Sequence, residues 1–96
     1  MSKQPCVYML ASKRNGTIYT GVTSNLIKRI FEHKSNSVEG FTKKYRVHIL
    51  VWFELFEDME SAILKEKKIK AGSRAKKIAL IESSNSKWQD LFDEII

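Results

Sequence analysis

The chain has few of the residues that support disulfide-rich or metal-stapled folds. Its 96 residues include one cysteine, one proline and four glycines. The single cysteine, Cys6, has no partner for a disulfide within the chain, and no group of cysteines and histidines has the spacing of a zinc site. No internal repeat, low-complexity tract or linker interrupts the sequence.

Long apolar runs and a secretion signal are also missing from the sequence. No run approaches the roughly 20 apolar residues that a membrane-spanning helix requires, and the N-terminus lacks the apolar segment of a signal peptide. These absences, with the lone cysteine, predict a cytoplasmic protein. The length predicts a single domain over residues 1–96, with a core of about 5–83 and a segment 84–96 that packs back on it.

Positive charge is in excess and is unevenly distributed. The 17 Lys/Arg and 11 Asp/Glu side chains give a net charge of +6. Residues 1–48 hold nine basic side chains against two acidic ones, and residues 65–77 hold seven against Glu66 alone. Such clusters attract polyanions through phosphate contacts and counterion release, although a solvated cationic surface also aids solubility. The clustering favours nucleic acid as the partner.

Two β-prone segments near the N-terminus predict a hairpin. Val7–Leu10 and Thr17–Val22 flank an Asn15-Gly16 turn. Asn-Gly is a strong hairpin signal because both residue types tolerate positive φ. Such a turn places Tyr8 and Tyr19 roughly across from each other on one face of the sheet, where adjacent phenols most often pack in the core.

A helix is predicted directly after the hairpin. Thr23 or Ser24 can cap it, and its apolar positions form a stripe made of Leu26, Ile27, Ile30 and Phe31. Arg29 and His33 lie four residues apart on the shoulder of that stripe, so their side chains can point to one place. Taken alone, Arg29 is a surface cation, and His33 is a helix-end residue that the helix dipole favours.

The rest of the chain predicts a third strand and further helices. Phe41–Arg46 is a helical turn or a loop, and the β-prone run His48–Phe56 predicts a central, buried strand. A helix over Met59–Ala71 is expected between a cap at Asp58 and a stop at Gly72, and Ser73 caps another helix. The last amphipathic segment is 88–96. The order strand, strand, helix, strand, helix, helix predicts a small α/β domain with a three-stranded antiparallel sheet.

Glu66 is an acidic residue at a position that the helical pattern assigns to the core. At 100° per residue it falls near the middle of the inward face, whose other members are Met59, Ala62, Ile63 and Ile69. A carboxylate there is costly unless it is paired, hydrogen-bonded or bound to a metal. A buried ion pair, a tilted helix that exposes this turn and a functional carboxylate are three explanations that stay open.

The spacing of these residues resembles the GIY-YIG nuclease domain. Cys6-Val7-Tyr8 and Tyr19-Thr20-Gly21 stand in the places of the two tripeptides, and Arg29-x-x-x-His33 follows on the helix. Ala62-x-x-x-Glu66 matches the position of the family's metal-binding glutamate. The resemblance covers about residues 5–91 and is greatest for small stand-alone bacterial members (YhbQ-like, UPF0213-type), with counterpart segments at Thr42–Tyr45, Glu66–Lys70 and Asn85–Leu91.

The resemblance implies a fold and an activity. The fold is a GIY-YIG-like domain, and the activity is metal-dependent hydrolysis of phosphodiester bonds in DNA. The endonuclease would have low sequence specificity and would act on structured or damaged sites in repair or recombination. Glu66 would hold one Mg²⁺ or Mn²⁺, with waters and the phosphate completing the coordination.

The resemblance also implies roles for the other motif residues. Tyr8 would act as general base or position the attacking water, and Tyr19 would orient that water or bind the phosphate. Arg29 would neutralise the charge of the transition state, and His33 would support the water or a phosphate oxygen. The edge of the site would include Gly21, which ends its strand where a side chain would obstruct the phosphate, and Asn85.

The resemblance does not indicate how the substrate is selected. Family nucleases usually owe target choice to an attached DNA-binding domain, which this sequence lacks. Selection is then expected from a protein partner or from a set of basic side chains, namely Lys43, Lys44, Arg46, Lys67, Lys70, Arg74, Lys76 and Lys77. One alternative is a catalytically weak or inactive nucleic-acid-binding module. Another is an interaction domain whose basic face docks an acidic protein.

Overall fold

The computed structural model describes residues 4–35 and 40–96 of the chain. The predicted order of strand, strand, helix, strand, helix, helix is confirmed, with two short helices in addition. The elements are β1 (Cys6–Ala11), β2 (Ile18–Thr23), α1 (Leu26–Lys34), α2 (Phe41–Lys44), β3 (Ile49–Leu55), α3 (Met59–Ala71), α4 (Arg74–Ser84) and α5 (Phe92–Ile95). Across the described ranges, no helix combines the length and the apolar character needed to span a bilayer.

The three strands form an antiparallel sheet in the order β2-β1-β3. All six residues of β1 are buried, because β1 has a neighbouring strand on each side and an apolar cluster on each face. β3 is an edge strand whose last two residues, Glu54 and Leu55, are exposed, so the prediction of a central third strand was wrong. An apolar run indicates that the faces of a strand are covered, but it does not encode the strand's place in the sheet.

Alternate residues of β1 face two separate apolar clusters. Val7 and Met9 lie in the cluster that includes residues of α3 and α4. Tyr8 and Leu10 lie in the cluster that includes Ile30 of α1 and residues of α5. The sheet therefore separates two layers of helices, with α3 and α4 on one face and α1 and α5 on the other.

The C-terminal segment runs along the outer edge of β3. Trp88 packs in the cluster beneath α3 and α4, whereas Leu91 and Phe92 pack in the cluster beneath α1. The backbone N–H of Leu91 donates to the carbonyl oxygen of Leu50 at 2.8 Å. This segment therefore supplies a hydrogen-bond partner to the outer edge of β3 and contributes side chains to both layers.

The hairpin has a longer loop than the Asn-Gly turn predicts. Pairing of β1 and β2 runs from Cys6–Thr23 to Ala11–Ile18, which leaves residues 12–17 in the loop. Asn15 has the positive φ of a turn residue, 58°. The register sets Tyr8 opposite Gly21 and Tyr19 opposite Leu10, so the two tyrosines are diagonal neighbours and not direct partners. Diagonal side chains on one face are still within reach of each other.

Side-chain caps define the ends of the longer helices. The cap of α1 is Asn25, whose side chain accepts a hydrogen bond from the N–H of Lys28 at 3.2 Å, so the prediction of Thr23 or Ser24 was wrong. Thr23 instead accepts from the N–H of Asn25 through its hydroxyl at 3.0 Å. The cap of α3 at Asp58 is confirmed, and Gly72 directly follows the last residue of that helix as predicted.

Candidate active site

A buried hydrogen-bond chain joins Tyr8, His33 and Thr42. The hydroxyl oxygen of Tyr8 lies 3.1 Å from Nε2 of His33, and Nδ1 of His33 lies 2.9 Å from the hydroxyl oxygen of Thr42. All three side chains are buried. Both ring nitrogens of His33 are thus engaged by hydroxyl groups, and in the neutral ring one nitrogen donates while the other accepts.

The rotation of α1 brings His33 to the sheet. The apolar pattern predicted a stripe of Leu26, Ile27, Ile30 and Phe31, but Ile27 and Phe31 are exposed. The buried residues of α1 are Ile30 and His33, which are three positions apart and therefore share a face. The helix thus presents the His33 imidazole to Tyr8 from a buried face that differs from the predicted apolar stripe.

Gly21 makes room for the two tyrosine rings. A Cβ atom at this position would lie 2.5 Å from Cζ and the hydroxyl oxygen of Tyr8 and 3.0 Å from Cε2 of Tyr19. Gly21 lies inside β2, which ends at Thr23, so the prediction that it ends its strand was wrong. The missing side chain leaves space for the rings, and the Tyr8 hydroxyl consequently lies over the edge strand β2.

Tyr19 completes an aromatic group around the imidazole. Its ring centroid lies 6.3 Å from that of Tyr8 and 5.7 Å from that of His33. The Tyr8 and His33 centroids are 5.8 Å apart. Tyr8, Tyr19 and His33, which the sequence analysis selected separately, are therefore in mutual contact; we call these three residues the Tyr8–His33 cluster.

Burial keeps both hydrogen-bonded groups of this cluster uncharged at neutral pH. Burial raises the pKa of Tyr8 above its ordinary value of 10, and the neighbouring Tyr19 adds to the rise. Burial lowers the pKa of His33 from its ordinary value of 6.5, and the positive charge of Arg29 lowers it further. The site therefore holds a protonated phenol against a neutral imidazole.

Arg29 lies at the solvent side of the cluster. Its side chain is partly exposed, and its Nε lies 3.7 Å from a carboxylate oxygen of Glu32. Its charge lowers the pKa of His33 and opposes the rise in the pKa of Tyr8. The guanidinium is therefore near enough to act on both groups while it stays open to a ligand from solvent.

Glu66 lies on α3, in the other layer of the domain. Its side chain is only 13% exposed, and a carboxylate oxygen lies 3.0 Å from Nζ of Lys70. Its helix, α3, packs against β1 and β2 on the face opposite Tyr8. The negative charge of Glu66 nevertheless contributes to the raised pKa of Tyr8. Of the three explanations for an inward carboxylate, the ion pair is present, and its exposed partner Lys70 can leave for solvent.

Asn85 lies apart from this cluster. Its side-chain nitrogen donates to the carbonyl oxygens of Val51 at 3.1 Å and Gln89 at 2.8 Å, and its side-chain oxygen accepts from the N–H of Gln89 at 3.0 Å. These bonds fasten the end of α4 to β3, which lies at the opposite edge of the sheet from β2. The structure assigns Asn85 to this packing role and not to the edge of the site.

The eight basic side chains selected as a nucleic-acid interface fall into two groups. Lys43, Lys44 and Arg46 are exposed on α2 and the residues after it, next to the buried Thr42 that contacts His33. The other five lie on α3 and α4: Lys67, Lys70, Arg74, Lys76 and Lys77. The first group therefore lies beside the Tyr8–His33 cluster. The second group lies on the helix that carries Glu66 and on the next helix.

Two members of the second group have structural partners. Lys70 pairs with Glu66, and the guanidinium of Arg74 donates to the carbonyl oxygens of Asn15 and Gly16, at 2.7 Å each. Arg74 thereby holds α4 to the hairpin loop. Lys76 and Lys77 line a cleft of about 140 Å³ between α3 and α4.

Thr42 is the site residue that sequence reasoning missed. It is the first residue of a segment that resembles the family, but nothing in its spacing indicates a hydrogen-bond partner. Its hydrogen bond to His33 joins two elements that the hairpin and helix patterns treat separately. Selecting Thr42 requires knowing that α1 is rotated so that His33 is buried, whereas the apolar stripe predicts a different buried face.

Comparison with known proteins identifies relatives over most of the chain. The family model of the GIY-YIG catalytic domain matches residues 4–79. A UPF0213 protein of Clostridium perfringens is 37% identical over 89 residues, which are 93% of this chain and 95% of the relative. A UPF0213 protein of Staphylococcus haemolyticus is 37% identical over 76 residues, which are 79% of this chain and 92% of the relative.

A solved structure shows the same arrangement of elements. The solution NMR structure of a UPF0213 protein from Bacillus halodurans is similar to this chain, with a TM-score of 0.57 and 29% sequence identity. The similarity covers 91% of this chain and 92% of that chain. It confirms the predicted three-stranded antiparallel sheet flanked by helices.

Proposed function

Because the chain belongs to the GIY-YIG catalytic-domain family, with UPF0213 proteins as its relatives, we propose that it is a metal-dependent endonuclease. It hydrolyses phosphodiester bonds in DNA with low sequence specificity, on structured or damaged sites in the cytoplasm. The observation that carries the proposal is the buried contact of Tyr8 with His33, with the charges of Arg29 and Glu66 both acting on Tyr8. Tyr8, Tyr19, Arg29, His33 and Glu66 are its catalytic residues.

The Tyr8–His33 hydrogen bond gives Tyr8 a route to act as a base. A phenol that keeps its proton at neutral pH is a weak base alone. With the imidazole proton on Nδ1, donated to Thr42, the lone pair of Nε2 accepts the Tyr8 hydroxyl. Tyr8 then takes a proton from the attacking water as its own proton passes to Nε2. The oxygen of that water forms the new bond to phosphorus, and the bond to the leaving oxygen breaks.

Arg29 and Tyr19 hold the phosphate in the proposed mechanism. A guanidinium presents a planar fork of donors that matches phosphate oxygens, and it counters charge that grows in the transition state. Arg29 is the partly exposed cation at the solvent side of the cluster. The Tyr19 ring lies against Tyr8 and His33, and in this mechanism its hydroxyl orients the water or the phosphate.

A single Mg²⁺ or Mn²⁺ fits the donor set around Glu66. Mg²⁺ keeps several of its waters and is commonly bound through one or two carboxylates and substrate phosphates. Glu66 offers one carboxylate, and residues 4–35 and 40–96 contain no group of three His, Cys, Asp or Glu that could hold an ion alone. When bound, the ion supplies charge stabilisation to the phosphate and the leaving oxygen. Lys70 must release Glu66 for this, and its exposed side chain permits that.

Nicking of supercoiled plasmid DNA with Mg²⁺ tests the proposal. We expect nicking by the wild type and a loss of roughly 100-fold or more in Tyr8→Phe and in Glu66→Ala, as for removal of a catalytic group. Glu60→Ala is the matched control, since Glu60 is an exposed glutamate on the same helix. Circular dichroism checks that the variants fold. Equal nicking by wild type and Glu66→Ala would identify a contaminating nuclease and refute the proposal.

The second candidate function is a nucleic-acid-binding module without useful turnover. The ion pair of Glu66 with Lys70 favours it, because the pair occupies the carboxylate that a metal would need. Salt-sensitive binding without cleavage of branched, nicked or single-stranded DNA, with Mg²⁺, Mn²⁺ and Ca²⁺ each tested, would decide for this candidate. For either function, we propose that a protein partner directs the chain to its nucleic-acid target.

A further inference from the structure

Two aromatic side chains at α2 stay exposed beside the Tyr8–His33 cluster. Phe41 is 45% exposed and Tyr45 is 47% exposed. Their ring centroids lie 4.8 Å apart, with an angle of 47° between the planes. Phe41 also stacks on Tyr19, with centroids 6.1 Å apart and planes at 30°. The three rings form a continuous row from the proposed catalytic residues to solvent.

Basic side chains surround the exposed pair. Nζ of Lys44 lies 5.5 Å from the ring centroid of Tyr45, and Lys43 and Arg46 are exposed nearby. Residues 40–48 contain no acidic side chain. An electropositive surface with exposed rings has the composition of sites that bind single-stranded nucleic acid, in which rings stack on bases and cations follow the phosphates.

The fold holds this pair at a fixed distance from Tyr8. Thr42 lies between the two aromatic positions, and its buried hydroxyl contacts His33 at 2.9 Å. The backbone carbonyl of Thr42 accepts from the N–H of Val47 at 2.9 Å, and that of Phe41 accepts from the N–H of Tyr45 at 3.0 Å. The same residue that orients the imidazole therefore anchors the short helix that presents the rings.

We propose that Phe41 and Tyr45 form a stacking platform for an unpaired nucleobase next to the phosphate held by Arg29 and Tyr19. The preferred substrate is then a strand with unpaired bases, such as a flap, a bulge or a single strand, and not a continuous duplex. The identity of the neighbouring phosphate rests on the proposed nuclease function, whereas stacking itself requires no turnover. The competing role is a cover that only shields Tyr19 and His33 from water.

Binding without divalent metal tests the platform independently of cleavage. Fluorescence anisotropy in EDTA compares a labelled 20-nucleotide DNA strand, its blunt duplex and the RNA strand of the same sequence. We expect tighter binding of a single strand than of the duplex, by about 10-fold or more. Phe41→Ala and Tyr45→Ala should each weaken single-strand binding by roughly 5- to 150-fold, the effect of one lost base–aromatic stack. Tighter binding of either the DNA strand or the RNA strand than of the duplex supports the platform. The comparison of the two single strands shows whether the site prefers deoxyribose or ribose.

Phe31→Ala is the matched control for these variants. Phe31 is 61% exposed, on α1, and lies by a different cleft that Ile27 and Phe92 line. Its removal should leave single-strand binding unchanged. Equal affinity of the wild type for the single strand and the duplex, or an equal loss in Phe31→Ala, would overturn the proposal in favour of a shielding role.

Phe41→Trp gives a second readout that does not depend on removing a ring. The native tryptophans, Trp52 and Trp88, are buried, so an exposed tryptophan at position 41 would dominate quenching by an added oligonucleotide. We expect quenching by the single strand and little by the duplex; binding of the single strand without quenching would overturn the platform. If the single strand quenches the tryptophan but the protein nicks no DNA, only the proposed nuclease function is refuted. If the protein nicks continuous duplex and binds single strands no more tightly than duplex, only the stacking platform is refuted.

Discussion

Replacement of Thr42 by valine tests the hydrogen-bond chain at the centre of the site. Valine has nearly the shape of threonine, so the substitution removes the hydroxyl and leaves the packing of this buried position in place. Nδ1 of His33 then loses its contact at 2.9 Å. Because His33 is itself buried, water does not replace the lost partner.

The expected size of the effect follows from that burial. A buried polar group left without a hydrogen bond costs about 1–3 kcal/mol. For a domain of this size each kcal/mol corresponds to roughly 4–8 °C in Tm. Thr42→Val should therefore lower the Tm by about 4–24 °C. Thr42→Ser keeps the hydroxyl and should recover most of that loss.

The assay combines thermal unfolding with ¹⁵N NMR of the imidazole. In the wild type we expect the proton on Nδ1, facing Thr42, and in Thr42→Val a shift toward the Nε2–H form, which donates to Tyr8. Thr20→Val is the control, since Thr20 is also a buried threonine but lies in β2. An unchanged tautomer together with a loss below about 0.5 kcal/mol would show that no such hydrogen bond orders His33.

Three further predictions concern pH, packing and charge. The pKa of His33 is lowered from 6.5, so the unfolded chain takes up a proton first as pH falls. Stability should therefore decline below about pH 6.5, in denaturant melts, and His33→Gln should remove that dependence. Gly21→Ala should destabilise the fold by about 1–3 kcal/mol in the same melts, because its Cβ meets the Tyr8 ring at 2.5 Å; wild-type stability would contradict the packing. Lys44→Ala should reduce the slope of log affinity against log salt by about one, as expected for a lost phosphate contact, whereas an unchanged slope would exclude such a contact.

The elements of the fold were predictable because each leaves a local pattern. Runs of β-prone residues predicted the strands, and α3 begins after its predicted cap at Asp58 and ends before its predicted stop at Gly72. The order of strands was not predictable from such patterns. β3 is as apolar as a central strand because helices and the C-terminal segment cover it, yet its last residues lie at an exposed edge.

The site was predictable where its residues belong to one motif or one helix turn. Tyr8, Tyr19 and His33 were selected from spacing and resemblance, and the structure brings them into contact. Thr42 could not be selected, because its hydrogen bond depends on the rotation of α1 about its axis. Asn85 is the reverse case. The family resemblance placed it at the edge of the site, but its side-chain amide donates to carbonyl oxygens of β3 and Gln89.

The small width of the sheet explains how residues of both layers act on one hydroxyl. Tyr8 extends from the central strand across Gly21, and this brings its hydroxyl over the edge strand β2. α1 provides His33 and Arg29 on that face, and α3 packs against β1 and β2 from the other face with Glu66 nearly buried. Gly21 is therefore the residue that lets the Tyr8 hydroxyl reach the edge strand β2.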